Sequence, residues 1–268
     1  MRSAVIKNWD NKTWLSSFGY IQSFNRFLSK NIKLNCNSKI LDIGCGRGKI
    51  IGNLSSRLHL KIKPIGIDLV NHIDKDKRIK FIKTDALSFF KDNKKKFDLI
   101  LIKQTIHLLS INNIKNLINE CKKNLNSDGK IFIFTLDPAK NEIPSFKLMK
   151  KILNKSLQRD RMILKFFSKL NSSKISKKFF YKVKITKKKY LKMIRNRFMS
   201  TLLSMTKKEI SNGIKEIDLN FNKILKFNDN LICIILKKKL KYYYVKIYKW
   251  FNKFNTKPCC FYNYYLYD

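Results

Sequence analysis

The run Leu41-Asp42-Ile43-Gly44-Cys45-Gly46-Arg47-Gly48 places an acidic residue at the end of an apolar stretch and follows it with glycines at alternate positions. Alternating glycines remove Cβ and tolerate positive φ, so a ligand can lie against bare backbone. The segment that follows, residues 49–60, is helix-capable, which brings unpaired N–H groups and the positive end of a helix dipole to the same spot. Two more carboxylates occupy equivalent places: Asp68 closes the apolar run 64–69, and Asp85 follows the run 79–83. A carboxylate at the second strand end suits both hydroxyls of a ribose, and a side-chain acceptor beside a free backbone N–H at Asp85 suits an adenine edge. A single Asp after a strand is commonly a turn or cap residue, but three strand ends in this order point at one nucleoside. A GxGxxG dinucleotide loop would need glycine where Lys49 stands, and a phosphate-binding P-loop would need Ser or Thr where Ile50 stands.

These residues need a scaffold of short parallel strands. Apolar runs at 39–44, 64–69, 79–83, 97–102 and 130–136 alternate with helix-capable stretches such as 112–125. That alternation predicts an α/β sheet with helices on both faces. Trp14, Phe18, Ile21, Phe24, Phe27 and Leu28 recur at helical spacing within residues 8–31. After Asp137-Pro138 the pattern changes: 145–167 and 187–205 read as basic helices, an inserted helical cap. The runs 221–227 and 231–236 flank Asn228-Asp229-Asn230, a hairpin-type turn signal that predicts a closing β-hairpin. The expected organisation is an N-terminal helical lid over 1–34, a nucleoside-binding core over 35–137, a cap over 138–215, the hairpin over 216–239, and a basic aromatic tail over 240–268.

The region 39–136 resembles the class I S-adenosylmethionine-dependent methyltransferases, in particular the type 11 methyltransferase domain. Asp42 with Gly44, Cys45, Gly46 and Gly48 is similar to the family's E/DxGxGxG loop, Asp68-Leu69 to its ribose motif, and Asp85-Ala86 to its adenine motif. The stretch from Phe97 through Lys103 and Gln104 to His107 looks like the fourth motif, whose strand end faces the sulfonium and the acceptor. The segment Leu125-Asn126-Ser127-Asp128-Gly129 looks like the family's LKPGG turn, with Asn126 and Ser127 in place of its Lys and Pro. The resemblance implies a Rossmann-like, seven-stranded, mostly parallel sheet of order 3-2-1-4-5-7-6, with S-adenosylmethionine held by the residues just named. It also implies that Trp14, Tyr20 and Arg197 fall where such enzymes enclose their acceptor, Arg197 as a clamp for a substrate carboxylate. His107 is the candidate base, an imidazole able to take a proton near neutral pH.

The chain has 268 residues and a net charge of +41, spread over both halves and heavier in the second. Lys dominates that charge and Asn, Ile, Phe and Tyr are abundant, which fits a base-composition bias in the gene as well as a polyanion surface. A small-molecule acceptor is therefore expected first, an RNA acceptor second, and a non-catalytic cofactor-binding protein third. Six cysteines without a CxxC pair and only three histidines disfavour a metal site. No apolar run reaches the roughly 18 residues of a membrane span. No signal-peptide pattern opens the chain, so a cytoplasmic location is expected; the oligomeric state is left open.

Overall fold

A computed structural model describes residues 12–169 and 174–238. The first residues of the predicted lid and the whole predicted tail, 240–268, lie outside them. In chain order the described elements are α1 (Phe18–Asn31), β1 (Ile40–Ile43), α2 (Lys49–Leu58), β2 (Ile65–Asp68), β3 (Lys80–Lys83), α3 (Ala86–Asp92), β4 (Phe97–Lys103), α4 (Ile111–Lys123), β5 (Leu125–Leu136), α5 (Lys147–Ser168), β6 (Lys174–Thr186), α6 (Lys187–Arg195), α7 (Lys207–Asn220) and β7 (Ile224–Lys237).

The central strands are apolar on both sides, and the alternation of side chains along each one feeds two cores. Leu99, Leu101, Phe132 and Phe134 point to one face, where α1, α2, α6 and α7 pack. Ile100, Ile102, Ile131 and Ile133 point to the other, against α3, α4 and the Ile163–Phe167 turn of α5. The strand order is β3-β2-β1-β4-β5-β7-β6, the one the resemblance implies. Strands β1 to β5 pair in parallel, and β7 runs antiparallel to both β5 and β6. The carboxyl ends of β1, β2, β3 and β4 consequently open on one edge of the sheet, which is where ligands bind in open α/β sheets.

The structure departs from the sequence reading in three places, two of them in the second half. Asn228-Asp229-Asn230 is not a turn: it lies mid-strand in β7, whose partner is β6, an element inside the predicted cap. The inward alternation Leu225, Phe227, Asp229, Leu231, Cys233 runs straight through the triplet. Glu142 satisfies its polar atoms, Oε2 accepting from the Asn228 backbone N–H and side-chain amide and Oε1 from the Asn230 amide. Strand β6 alternates buried Phe179 and Val183 with exposed Lys178, Lys182 and Lys184, the lysine-guarded pattern of an edge strand. The cap therefore contributes a strand to the sheet and helices to its faces. Helix α1 is likewise a core element and no lid, with Tyr20, Phe24 and Leu28 fully buried against Phe134 and Phe179. Among the described residues no helix is long and apolar enough to cross a membrane.

Candidate active site

The turn between β1 and α2 is held in the left-handed region at Gly44 (φ 72°), Gly46 (53°) and Gly48 (67°). A Cβ on Gly44 would stand 2.2 Å from Thr105 Oγ1, so only glycine lets the loop meet the end of β4. The loop is tied to β2 by the Gly44 and Cys45 N–H groups, which donate to the Ile67 carbonyl at 2.8 and 3.0 Å. Asp68 completes the tie: its Oδ2 accepts from Gly46 N–H at 2.8 Å and its Oδ1 from Val70 N–H at 2.9 Å. Asp85 caps α3, Oδ1 accepting from the Leu87 and Ser88 N–H groups at 3.0 Å. Those bonds from Ser88 and Leu87 hold its exposed carboxyl below the usual carboxylate range.

Asp42 is only 4% exposed. Burial pushes its carboxyl up to about 7, opposed by the Lys103 ammonium and reinforced by the Asp68 charge. Lys103 Nζ lies over the rings of Tyr20 and Phe24, 5.3 and 5.7 Å from their centroids, and donates to Gln104 Oε1 at 3.2 Å. Gln104 takes a positive φ of 52° at the turn out of β4 while its N–H donates to the Phe134 carbonyl. A non-glycine residue in this region marks a position fixed by its surroundings.

These groups line a cleft of about 310 Å³ that runs from Asp42 and the glycine turn past Asp68 to Asp85. A second, smaller cavity of about 60 Å³ adjoins it, sharing Leu15 and Gln104 and lined further by Trp14, His107, Asp160, Phe198, Thr201 and Asp229. Of these two spaces the cleft has room for a nucleoside, and the cavity has room for a small group beside it.

Residues 40–129 match the family model of a methyltransferase domain. A protein from Anabaena variabilis ATCC 29413, described as a methyltransferase from an antibiotic biosynthesis pathway, superposes with a TM-score of 0.56 at 15% identity, over 80% of this chain and 96% of that one. A protein from Bacillus halodurans C-125 described as a methyltransferase gives 0.52 at 15% identity, over 81% and 100%. No curated protein matches the chain by sequence. Residues 40–129 thus match a methyltransferase domain, and the sheet that carries them has the fold of the methyltransferases it superposes on.

Of the residues singled out from sequence, Asp42, Gly44, Cys45, Gly46, Asp68, Leu69, Asp85, Ala86, Lys103 and Gln104 all line the cleft. Gly48 does not; it caps α2 and packs on Ile79, where a Cβ would stand 2.2 Å from Cδ1. His107 lines the small cavity with Trp14. Its imidazole is pushed down to about 4 by burial and by nearby Arg159, whose guanidinium donates to the His107 and Leu109 carbonyls. An imidazole of that basicity is neutral at neutral pH and only a weak proton acceptor. Tyr20 belongs to the aromatic core and lines neither space. Arg197 is no carboxylate clamp: it sits at φ 54° and its guanidinium donates to the Leu202 and Leu203 carbonyls, bracing the turn after α6.

Two residues lining the small cavity have no counterpart in the sequence reading, and both are acids in apolar periodicities. Asp229 occupies an inward position of β7, 1% exposed, accepting from Trp14 Nε1 at 3.2 Å. Asp160 takes the next step in the buried stripe Met149, Leu153, Leu157 of α5, and its Oδ1 accepts from Thr135 Oγ1 at 2.6 Å. Burial raises both carboxyls, Asp160 to about 6.

Proposed function

We propose that this protein transfers a methyl group from S-adenosylmethionine to a small-molecule acceptor seated in the cavity beside the cleft. The observation that carries this reading is the joining of the two spaces at Gln104, with the three strand-end carboxylates on one side and a space of small volume on the other. The cleft fits the cofactor: Gly44 leaves a backbone surface free of side chain, and buried Asp42 suits an ammonium. Asp68, already a double acceptor on the loop, is at the ribose position, and Asp85 at the adenine position. Bound there, the cofactor supplies a methyl group on a sulfonium that is already a good leaving group. The chain's own work is to hold the acceptor in line and keep water out. Trp14, Leu136, Leu153 and Phe198 wall the cavity with apolar surface suited to that exclusion. His107, neutral at working pH, serves as an acceptor of hydrogen bonds there and not as a proton store.

Calorimetric titration with S-adenosylmethionine and S-adenosylhomocysteine, with and without total small RNA at two salt concentrations, tests the reading. Micromolar binding of both nucleosides, unaffected by RNA, is the expected result. Steeply salt-dependent RNA binding coupled to the cofactor would move the acceptor to RNA, and absence of nucleoside binding would overturn the proposal.

A further inference from the structure

The polar lining of the small cavity runs against the charge of the chain. In a protein of net charge +41, no Lys or Arg among the described residues lines it, while two buried carboxyls do. Resting on the methyl-transfer reading above, we infer that the cavity takes an amine, a cationic nitrogen on a small apolar body, and rejects an anionic acceptor.

Asp229 and Asp160 reach the cavity from different elements, β7 and α5, and are 1% and 2% exposed. Each has one oxygen engaged by a neighbouring side chain, Oδ2 of Asp229 by the Trp14 indole and Oδ1 of Asp160 by the Thr135 hydroxyl. The Tyr20 hydroxyl also faces Asp229 and, with Lys103 and the Trp14 indole, opposes the rise that burial imposes on that carboxyl. A third polar group has no partner among the described residues: Thr201, 5% exposed, lines the same cavity with its Oγ1 unsatisfied there. A buried hydroxyl without a partner is costly, and a ligand N–H supplies one.

The cations facing these acids have other commitments. Lys103, on β4, faces Asp229 and is shared with Asp42 on the cleft side. Arg159 lies beside Asp160, but its guanidinium is fastened to the His107 and Leu109 carbonyls. A buried carboxyl resists ionising alone and ionises readily beside a cation. An ammonium entering the cavity thus meets two groups that gain from its charge, whereas a carboxylate or phosphate would be desolvated against two acids. A carboxylate at this spot can also hold the proton that the nitrogen must release to expose its lone pair, the N–H bond breaking as an O–H bond forms on Asp229. Trp14, Phe198 and Met199 supply an apolar seat for the body of the amine.

Ligand-observed NMR on protein saturated with S-adenosylhomocysteine, using isobutylamine, isobutanol and isobutyrate as probes, decides the point. Isobutylamine is expected to bind about tenfold or more tighter than isobutyrate, with isobutanol between them. Asp229→Asn and Asp160→Asn should each shrink that ratio several-fold. Equal or tighter binding of isobutyrate or isobutanol, no binding of isobutylamine, or an unchanged ratio in folded forms of both variants would overturn the inference. The wild-type ratio stands as a test even where a variant fails to fold. Failure to bind S-adenosylhomocysteine strikes the methyl-transfer reading instead, and the same three probes on the free protein then still test the cavity.

Discussion

The cleft takes its ligand groups from the ends of four adjacent parallel strands, while the cavity is closed by Trp14 and Asp229, 215 positions apart, together with Asp160 from α5 and Thr201 from the turn after α6. In the cleft the recognition surface is largely backbone: left-handed glycines, a capped helix start, and carboxylates that first fasten the loops and then have lone pairs to spare. In the cavity it is side chain throughout, set by which residues the sheet edge and its covering helices happen to turn inward. A site built from turns at adjacent strand ends is fixed by the pairing of the sheet itself. A site assembled from distant side chains can change its preference through one of them, so the two halves of the proposed reaction rest on different physical footing within one fold.

That division is broken most easily at Asp68. Replacing it with Ala removes an ionised acceptor and releases the Gly46 and Val70 N–H groups, which were donating to it at 2.8 and 2.9 Å. Two hydrogen bonds to a charged group, at about 1.5 kcal/mol each, correspond to roughly 100-fold in affinity for S-adenosylhomocysteine. Calorimetry on Asp68→Ala should read that loss, and isobutylamine binding should change far less. Near-normal nucleoside affinity in the variant would mean that the strand-end carboxylates do not make the nucleoside site.

The same contrast explains what was legible in the sequence. Asp42, Asp68 and Asp85 were readable because each follows a short apolar run directly, so strand, turn and ligand group lie within a few residues. The order of the sheet came with the motif resemblance and holds in the structure. Strand β6 falls between the two basic helical stretches of the expected cap, where lysines on its outward positions leave Phe179, Tyr181 and Val183 to carry the period of two. The Asn228-Asp229-Asn230 triplet misled because local turn propensity argues for a hairpin, while Glu142, 86 positions upstream in sequence from Asn228, satisfies the triplet in an extended strand. Trp14 was placed at the acceptor, but its partner Asp229 was not: an acid on an inward position looks like an exception to a hydrophobic pattern until the structure turns it toward a cavity. The assignment of Arg197 failed for a related reason, since nothing local says that Leu202 and Leu203 fold back to accept its guanidinium.

A middle-sized effect separates the two sites by pH. Asp42 has its carboxyl near 7 in the folded protein against an ordinary value of 3.8. Between those values the folded chain holds a proton that the unfolded chain has lost. On this group's account the free protein therefore loses stability as pH rises from about 4 to about 7, the reverse of an ion-paired acid. A ligand ammonium needs the ionised form, so affinity for S-adenosylhomocysteine should rise about tenfold from pH 6 to pH 8, with proton release on binding at the lower pH. Asp42→Asn should flatten that profile, which calorimetry in two buffers of different ionisation enthalpy would register. A profile equally steep in the variant would assign the titration elsewhere.

The smallest expected effect sharpens the boundary from the cavity side. His107 lines the cavity and not the cleft, and its imidazole, lowered from 6.5 to about 4 by burial and then by Arg159, is neutral throughout the physiological range. Because its folded value is depressed, the stability it contributes is intact above about 6.5 and is lost as pH falls toward 4. His107→Gln keeps a polar side chain of similar size without the titration. Nucleoside affinity should therefore stay within about twofold of the wild type, while the melting temperature should fall less steeply between pH 6.5 and 4. A tenfold loss of nucleoside affinity would show that cleft and cavity act as one site through Gln104. An acid sensitivity identical to the wild type would show that the imidazole is not the group charging on that limb.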